Sequence, residues 1–319
     1  MASRKARRAV SLRGGAATRS KSTRRIALGL VTALAAQTAL ISVESGVAFA
    51  LPDSEVSSGA VAASSADKEA ASTAGSVAAA LLMARLQDRK IEVTSERTTT
   101  STTWALPSGE LQTAAYAGPV RQKVDGKWRN IDTSLSDTGA SLEPNVAAAD
   151  IKVSDGGDKS LASVAKGEKS FEMGWGETLP KPEVKDDTAS YNLGDGQMLT
   201  VTALAQGFSQ NVLLDKAPDG ELSYRIPVKL DGLKISEADS GHLLLKDAGD
   251  RLVAEAPAPM MWDSSKDGES GESEHQARVA TKVETADDGS QTLVLTPDAD
   301  YFKQDLTDPA QSTPPPPSR

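Results

Sequence analysis

The residues able to do chemistry are few. The chain's whole supply of imidazole is His242, in SGHLLLKD, and His275, in SEHQARV. Two histidines so far apart suit neither a metal cluster nor an obvious proton relay. Each opens an alternating segment, which reads as a strand-end surface position. Cysteine is absent from the 319 residues, so thiol nucleophiles, thiolate metal sites and disulfides are excluded. The nearest approach to a calcium loop is Asp263-Ser264-Ser265-Lys266-Asp267-Gly268-Glu269. It departs from the D-x-[DN]-x-[DN]-G template, and Lys266 would put a positive charge among the ligands. No G-x-S-x-G, H-E-x-x-H or Walker-type loop occurs. Carboxylates are plentiful, but glycosidase chemistry needs two held across a cleft, and no spacing singles out a pair. The reading is therefore a non-enzyme with no catalytic, cofactor-binding or metal-ligating residues and no cofactor.

Trp104, Trp128, Trp175 and Trp262, with four tyrosines, form the only sugar-stacking material in a chain that is 4% aromatic. Aromatics this scarce read first as core anchors of a β protein, and second as a carbohydrate platform. The stretch VDGKWRNID poses a similar choice, because its Asp-Gly pair could serve a cation, a sugar or a turn. The pair recurs at 125–126, 155–156, 195–196, 219–220, 231–232, 267–268 and 288–289, mostly between strand-like runs. Both residues tolerate the positive φ of tight hairpins, so a turn is the expected meaning.

The elements around these turns are mainly strands. In ELSYRIPVKL, Leu222, Tyr224, Ile226, Val228 and Leu230 alternate with Ser223, Arg225, Pro227 and Lys229. Phe171, Met173 and Trp175 repeat the pattern, as do Phe208, Val212 and Leu214 with Gln210 interrupting. Thr94 to Trp104, TSERTTTSTTW, is β-branched and polar and predicts a further strand. Residues 78–90, AAALLMARLQDRK, predict one short helix with Leu82, Leu86 and Arg89 at helical spacing. The expected fold is all-β, an antiparallel sandwich-like domain with a short N-terminal helix and disordered ends. That domain is assigned to residues 91–307, with a division into two subdomains near 180–190 as an option.

Residues 1–50 read as a secretory signal peptide. Nine basic side chains and no acidic one occupy residues 1–25, the apolar run IALGLVTALAAQTALI follows, and Ala48-Phe49-Ala50 fits cleavage after Ala50. The apolar run is short for a bilayer span, so no stable membrane span is expected in the mature form. Thr23-Arg24-Arg25-Ile26-Ala27-Leu28 also has the form of a twin-arginine (Tat) signal, and an ordinary secretory signal fits as well. Removing nine basic residues and Glu44 with the leader leaves 26 basic against 43 acidic residues, a formal charge of about −17. Such a surface repels phosphate backbones, so nucleic-acid binding is not expected. Residues 51–77 read as an Ala/Ser-rich disordered spacer and 308–319 as a Pro-rich disordered tail.

The order RTTTSTTWALPSGELQ, GPVRQKVDGKWRNIDTSL, GFSQNVLL, ELSYRIPVKLDGLKI, LVAEAPAPMMWDS and QTLVLTPDADYF resembles the N-terminal β-rich region of large secreted actinobacterial proteins. Those carry DNRLRE, LamG-like jelly-roll or RHS (YD-repeat) domains further along. The resemblance covers roughly residues 88 to 306 and offers no catalytic residues to carry over. It implies a secreted or cell-wall-associated, non-catalytic structural or adhesion-type module of a multidomain protein. In that family the segment after the Pro-Asp-x-x-(Tyr/Phe) element continues as a strand, whereas here DPAQSTPPPPSR follows Thr307. That departure reads as a truncation or a frameshift before the downstream domains. Two other readings stand beside it: a carbohydrate-binding module of the cell envelope, with wall polysaccharide as partner, and a glycoside hydrolase with an acidic pair. Partner and oligomeric state are not specified by the sequence.

Overall fold

The computed structural model describes residues 26–32, 71–218, 220–265, 267–268, 270 and 272–304. The basic run and the cleavage site read from the sequence as an export leader, residues 51–70 and the Pro-rich tail lie outside the described residues. The elements near the N-terminus are β1 (Ile26–Thr32), β2 (Thr73–Ala74), α1 (Val77–Gln87), β3 (Ile91–Val93), β4 (Ser101–Ala105) and β5 (Leu111–Ala115). A hairpin of β6 (Arg121–Val124) and β7 (Lys127–Asn130) follows. Next come β8 (Asp132–Asp137), β9 (Leu142–Val146), β10 (Asp150–Val153), β11 (Ser160–Lys166) and β12 (Lys169–Gly174). A second run comprises β13 (Glu183–Lys185), β14 (Thr188–Gly194), β15 (Gln197–Leu204), β16 (Gly207–Leu214) and β17 (Tyr224–Asp231). The chain continues through β18 (Lys234–Glu237), β19 (Leu243–Lys246), β20 (Leu252–Ala256) and β21 (Met260–Trp262). It ends with β22 (Gln276–Arg278), β23 (Ala280–Thr285), β24 (Gln291–Thr296) and a 3₁₀ turn at Tyr301–Lys303. The protein is mostly β, with one α-helix among the described residues, and that helix is too short to cross a membrane.

The first unit is small. Helix α1 starts where the Ser76 side chain accepts from the Ala79 amide (3.3 Å) and stops at Asp88, whose φ of 50° is left-handed. Its inward face is Ala80 and Ala84, one turn apart, which lets the helix lie close on Ile91, Val93 and Ala105. Leu82 and Leu86 point outward instead, 60% and 76% exposed, so the leucine stripe read from the sequence is not the packing face. Residues 73–77, assigned to a disordered spacer, form β2 and the start of α1, with β2 pairing parallel to β3. The strand expected over 94–104 begins only at Ser101. A 3₁₀ turn at Thr94–Glu96 intervenes, held by Thr94 Oγ1 donating to the Ala74 carbonyl (3.1 Å) and a bidentate Arg97–Glu92 pair (2.7 and 2.8 Å). Arg121 on β6 is buried and donates to Ser101 O (2.8 Å) and Thr102 Oγ1 (2.5 Å), which latches the hairpin to β4.

The larger unit contains two big antiparallel sheets. One runs β13-β14-β15-β16-β1-β21-β22, the other β23-β24-β17-β12-β11-β10-β9-β8, and a third sheet is β18-β19-β20. All three supply buried side chains to one core: Phe171 from β12, Phe208 and Val212 from β16, and Leu243 and Leu245 from β19. Phe171 and Phe208 stack across the two large sheets with ring centroids 6.4 Å apart, which is the sandwich contact. On β17, Tyr224, Ile226 and Val228 face in while Arg225, Pro227 and Lys229 face out. Pro227 is tolerated in this interior strand because the ladder to β12 stops at Met173↔Val228, one residue short of it. Leu179, Ala189 and Tyr191 belong to the same core, so it runs unbroken across the 180–190 boundary weighed above. The division between cores falls earlier, between Ala105 and Leu142.

The Asp-Gly pair of VDGKWRNID closes the β6–β7 hairpin, with Asp125 at φ 50° and Gly126 at φ 76°. Two successive positive φ values match the twist of a tight hairpin and explain the residue choice. Gly156 answers to packing as well: a Cβ there would lie 2.6 Å from the Pro180 carbonyl oxygen. Asp219 is outside the described residues.

Candidate binding cleft and a buried acid–imidazole cluster

A cleft of about 840 Å³ opens where the turn after β12 meets β14, β15 and the start of β17. Trp175 and Tyr224 form its aromatic wall, ring centroids 5.9 Å apart and tilted by 35°. Glu177, Asp195, Gln197 and Arg225 supply polar groups. The wall is fixed in place: the Trp175 amide donates to Lys159 O (2.7 Å), and Lys159 Nζ donates to Gly176 O (2.9 Å). The Tyr224 hydroxyl donates to Gln197 Oε1 (3.3 Å), and burial pushes its phenol up to about 12. Tyr224 is thus a neutral donor at any working pH. Chemically, the cleft can stack a ring against a half-buried indole and offer hydrogen bonds around it.

A second constellation joins residues that no sequence motif connects. The Asp263 side chain is fully buried. Its Oδ1 accepts from Ser273 Oγ (2.7 Å), the Ser265 amide (3.2 Å) and Ser265 Oγ, and its Oδ2 meets His275 Nδ1 at 3.0 Å. The Tyr301 hydroxyl donates to His275 O (2.8 Å). Burial, with the Asp263 carboxylate nearby, raises the Tyr301 phenol well above the ordinary tyrosine range. A carboxylate on Nδ1 is how a catalytic triad orients its imidazole. Here both serine hydroxyls are spent on Asp263, and among the described residues none bonds the other ring nitrogen of His275. The cluster therefore staples the loop between β21 and β22. The segment that came nearest a calcium loop begins with a carboxylate whose oxygens are taken by protein donors. Among the described residues no three acidic or imidazole groups gather in a metal-holding arrangement.

His242 sits at the entry to β19, half-exposed, with Nδ1 against Glu255 Oε1. The four tryptophans are not the core anchors the sequence suggested. All are half-buried, because Phe171, Phe208 and Tyr191 take the deepest inward positions. Lys90 Nζ covers the Trp104 ring at 4.8 Å and Lys123 Nζ the Trp128 ring at 5.0 Å, Trp262 ends β21, and Trp175 lines the large cleft.

No protein-family model matches the chain. The tRNA3(Ser)-specific nuclease WapA of Bacillus spizizenii is 24% identical over 229 residues, which covers 66% of this chain and 10% of the nuclease. The chain thus spans about a tenth of the length of the curated relative it matches, and its similarity is to one portion of a much larger protein.

Proposed function

We propose that the chain is a secreted, non-catalytic β module that serves a structural or adhesive role within a larger extracellular or wall-associated protein. The observation that carries this reading is the use of the reactive side chains: Asp263, His275, Ser265 and Ser273 are consumed by one another in a loop staple. The match to a tenth of a far longer protein supports the multidomain setting. The nuclease activity in that relative's name is not carried over, because the cluster offers no nucleophile to His275 and the acidic balance disfavours RNA. The leader-like residues 1–50 support export.

A carbohydrate-binding role is the second reading, favoured by the Trp175–Tyr224 wall with its flanking polar groups. Pelleting with insoluble wall polysaccharide separates the two. On the structural reading, Trp175→Ala changes retention less than twofold. A tenfold or greater loss, with the variant still folded by circular dichroism, would move the assignment to carbohydrate binding, since one stacking aromatic contributes on the order of 1 kcal/mol or more.

A further inference from the structure

An Asp-Gly pair holds an electrophile and a nucleophile side by side: the aspartate carboxyl carbon and the amide nitrogen of a residue with no Cβ to obstruct its approach. The two combine only where both are free, and the hairpins of this protein differ in that respect. At Asp288-Gly289 both are taken. Asp288 Oδ1 accepts from the Ser290 amide (2.9 Å) and Ser290 Oγ (2.6 Å), and the Gly289 amide donates to Ala286 O (2.9 Å). At Asp155-Gly156 the glycine amide donates to Ser154 Oγ (3.1 Å), and at Asp267-Gly268 the carboxylate accepts from the Ser270 amide (2.7 Å) and Oγ (2.9 Å). The backbone is held at two other pairs: Gly196 O accepts from the Asp215 amide (2.8 Å), and Gly232 lies so close to Glu168 O that a Cβ would sit 3.0 Å from it. Asp125-Gly126 is the exception. Both residues are exposed, nothing surrounds Gly126, and among the described residues neither the Asp125 carboxylate nor the Gly126 amide has a hydrogen-bond partner.

We propose that Asp125 is a self-modification site, where the main chain of the β6–β7 turn is rerouted through the aspartate side chain as isoaspartate. The Gly126 nitrogen attacks Cγ of the protonated Asp125 carboxyl. The N–Cγ bond forms, the C–OH bond breaks, and the hydroxyl leaves with the amide proton as water, which gives a succinimide. Water then adds back to the ring. Breaking the bond from the Gly126 nitrogen to the Asp125 backbone carbonyl carbon gives isoaspartate, and breaking N–Cγ restores aspartate. No oxidant or reductant takes part. Asp288 is disfavoured in a further way, because the Ser290 hydroxyl holds its carboxyl below the usual carboxylate range and so depletes the acid form that the first step consumes. The product chain at 125 is one atom longer within a loop of two residues. The Val124↔Lys127 pair at the turn is therefore lost first, and with it the register that sets Lys123 opposite Trp128. Arg121, at the far end of the hairpin, keeps its bonds to Ser101 O and Thr102 Oγ1, so the change stays local and the protein stays folded.

The test is to age the full, folded chain in near-neutral buffer made with heavy-oxygen water and to map its peptides by mass spectrometry. Each succinimide that reopens incorporates one heavy oxygen whichever bond breaks, and backbone fragmentation separates isoaspartate from aspartate. Label and isoaspartate should be at least about tenfold more abundant at 125 than at 288, since reaction at 288 must first break the bonds that hold its carboxylate and the next amide. In denaturant, where those bonds are gone, the two sites should convert at similar rates. Asp125→Asn is the second arm: asparagine also tolerates the positive φ of the turn, loses ammonia in place of water, and should reach the same isoaspartate product faster. Isoaspartate no more frequent at 125 than at 288 in the folded chain would overturn the proposal, as would a difference between the sites that persists unchanged in denaturant.

Discussion

Replacing Phe171 by alanine is expected to lower the unfolding free energy by about 3–5 kcal/mol. The ring is 1% exposed and stacks on Phe208 from the opposite sheet, so its loss leaves a cavity at the sandwich contact that neither sheet can close alone. Urea denaturation of the variant against the parent measures this. Leu82→Ala is the matched control, because Leu82 is 60% exposed on the outer face of α1 and should shift stability by no more than about 0.5 kcal/mol. Equal losses for the two would mean that the core has been placed wrongly.

Asp263→Ala is expected to cost about 3–5 kcal/mol, the range for removing one partner of a buried charge-assisted cluster. His275 Nδ1, Ser273 Oγ, Ser265 Oγ and the Ser265 amide would lose this acceptor at once, although Ser273 Oγ keeps the His275 carbonyl (2.9 Å) and Ser265 Oγ keeps the Glu274 amide (2.8 Å). Asp263→Asn preserves the shape and the Oδ1 acceptor and should cost clearly less. Thermal unfolding should rank parent, Asn variant and Ala variant in that order. An alanine variant as stable as the parent would show that the loop is held by other contacts.

The strands and hairpins were legible because their signals are local. The Tyr224/Ile226/Val228 alternation and the paired positive-φ residues at Asp125 and Gly126 each follow from neighbouring side chains and backbone sterics. The helix was legible in place but not in orientation: small Ala80 and Ala84 permit close approach to β3, and that outweighs the apolar surface of Leu82 and Leu86. The Asp263–His275 contact arises from a loop that brings β21 and β22 side by side, which residue spacing does not encode. Tryptophan burial failed as an inference for a related reason. The inward positions nearest the facing sheet were already filled by Phe171, Phe208 and Tyr191, leaving the larger indoles half-buried. The pairing of Ile26–Thr32 with β16 was equally hidden, since an apolar run after a basic stretch carries no signal for a partner strand so far along the chain.

The central claim is that this module does no chemistry of its own. The most direct measurement is prolonged incubation of the protein, at stoichiometric amounts, with wall polysaccharide and separately with tRNA, following soluble sugar or nucleotide release over time. The account predicts release indistinguishable from buffer for both substrates. Release above background that Asp263→Asn or His275→Ala abolishes, with the fold retained, would contradict it and make the buried cluster a catalytic one.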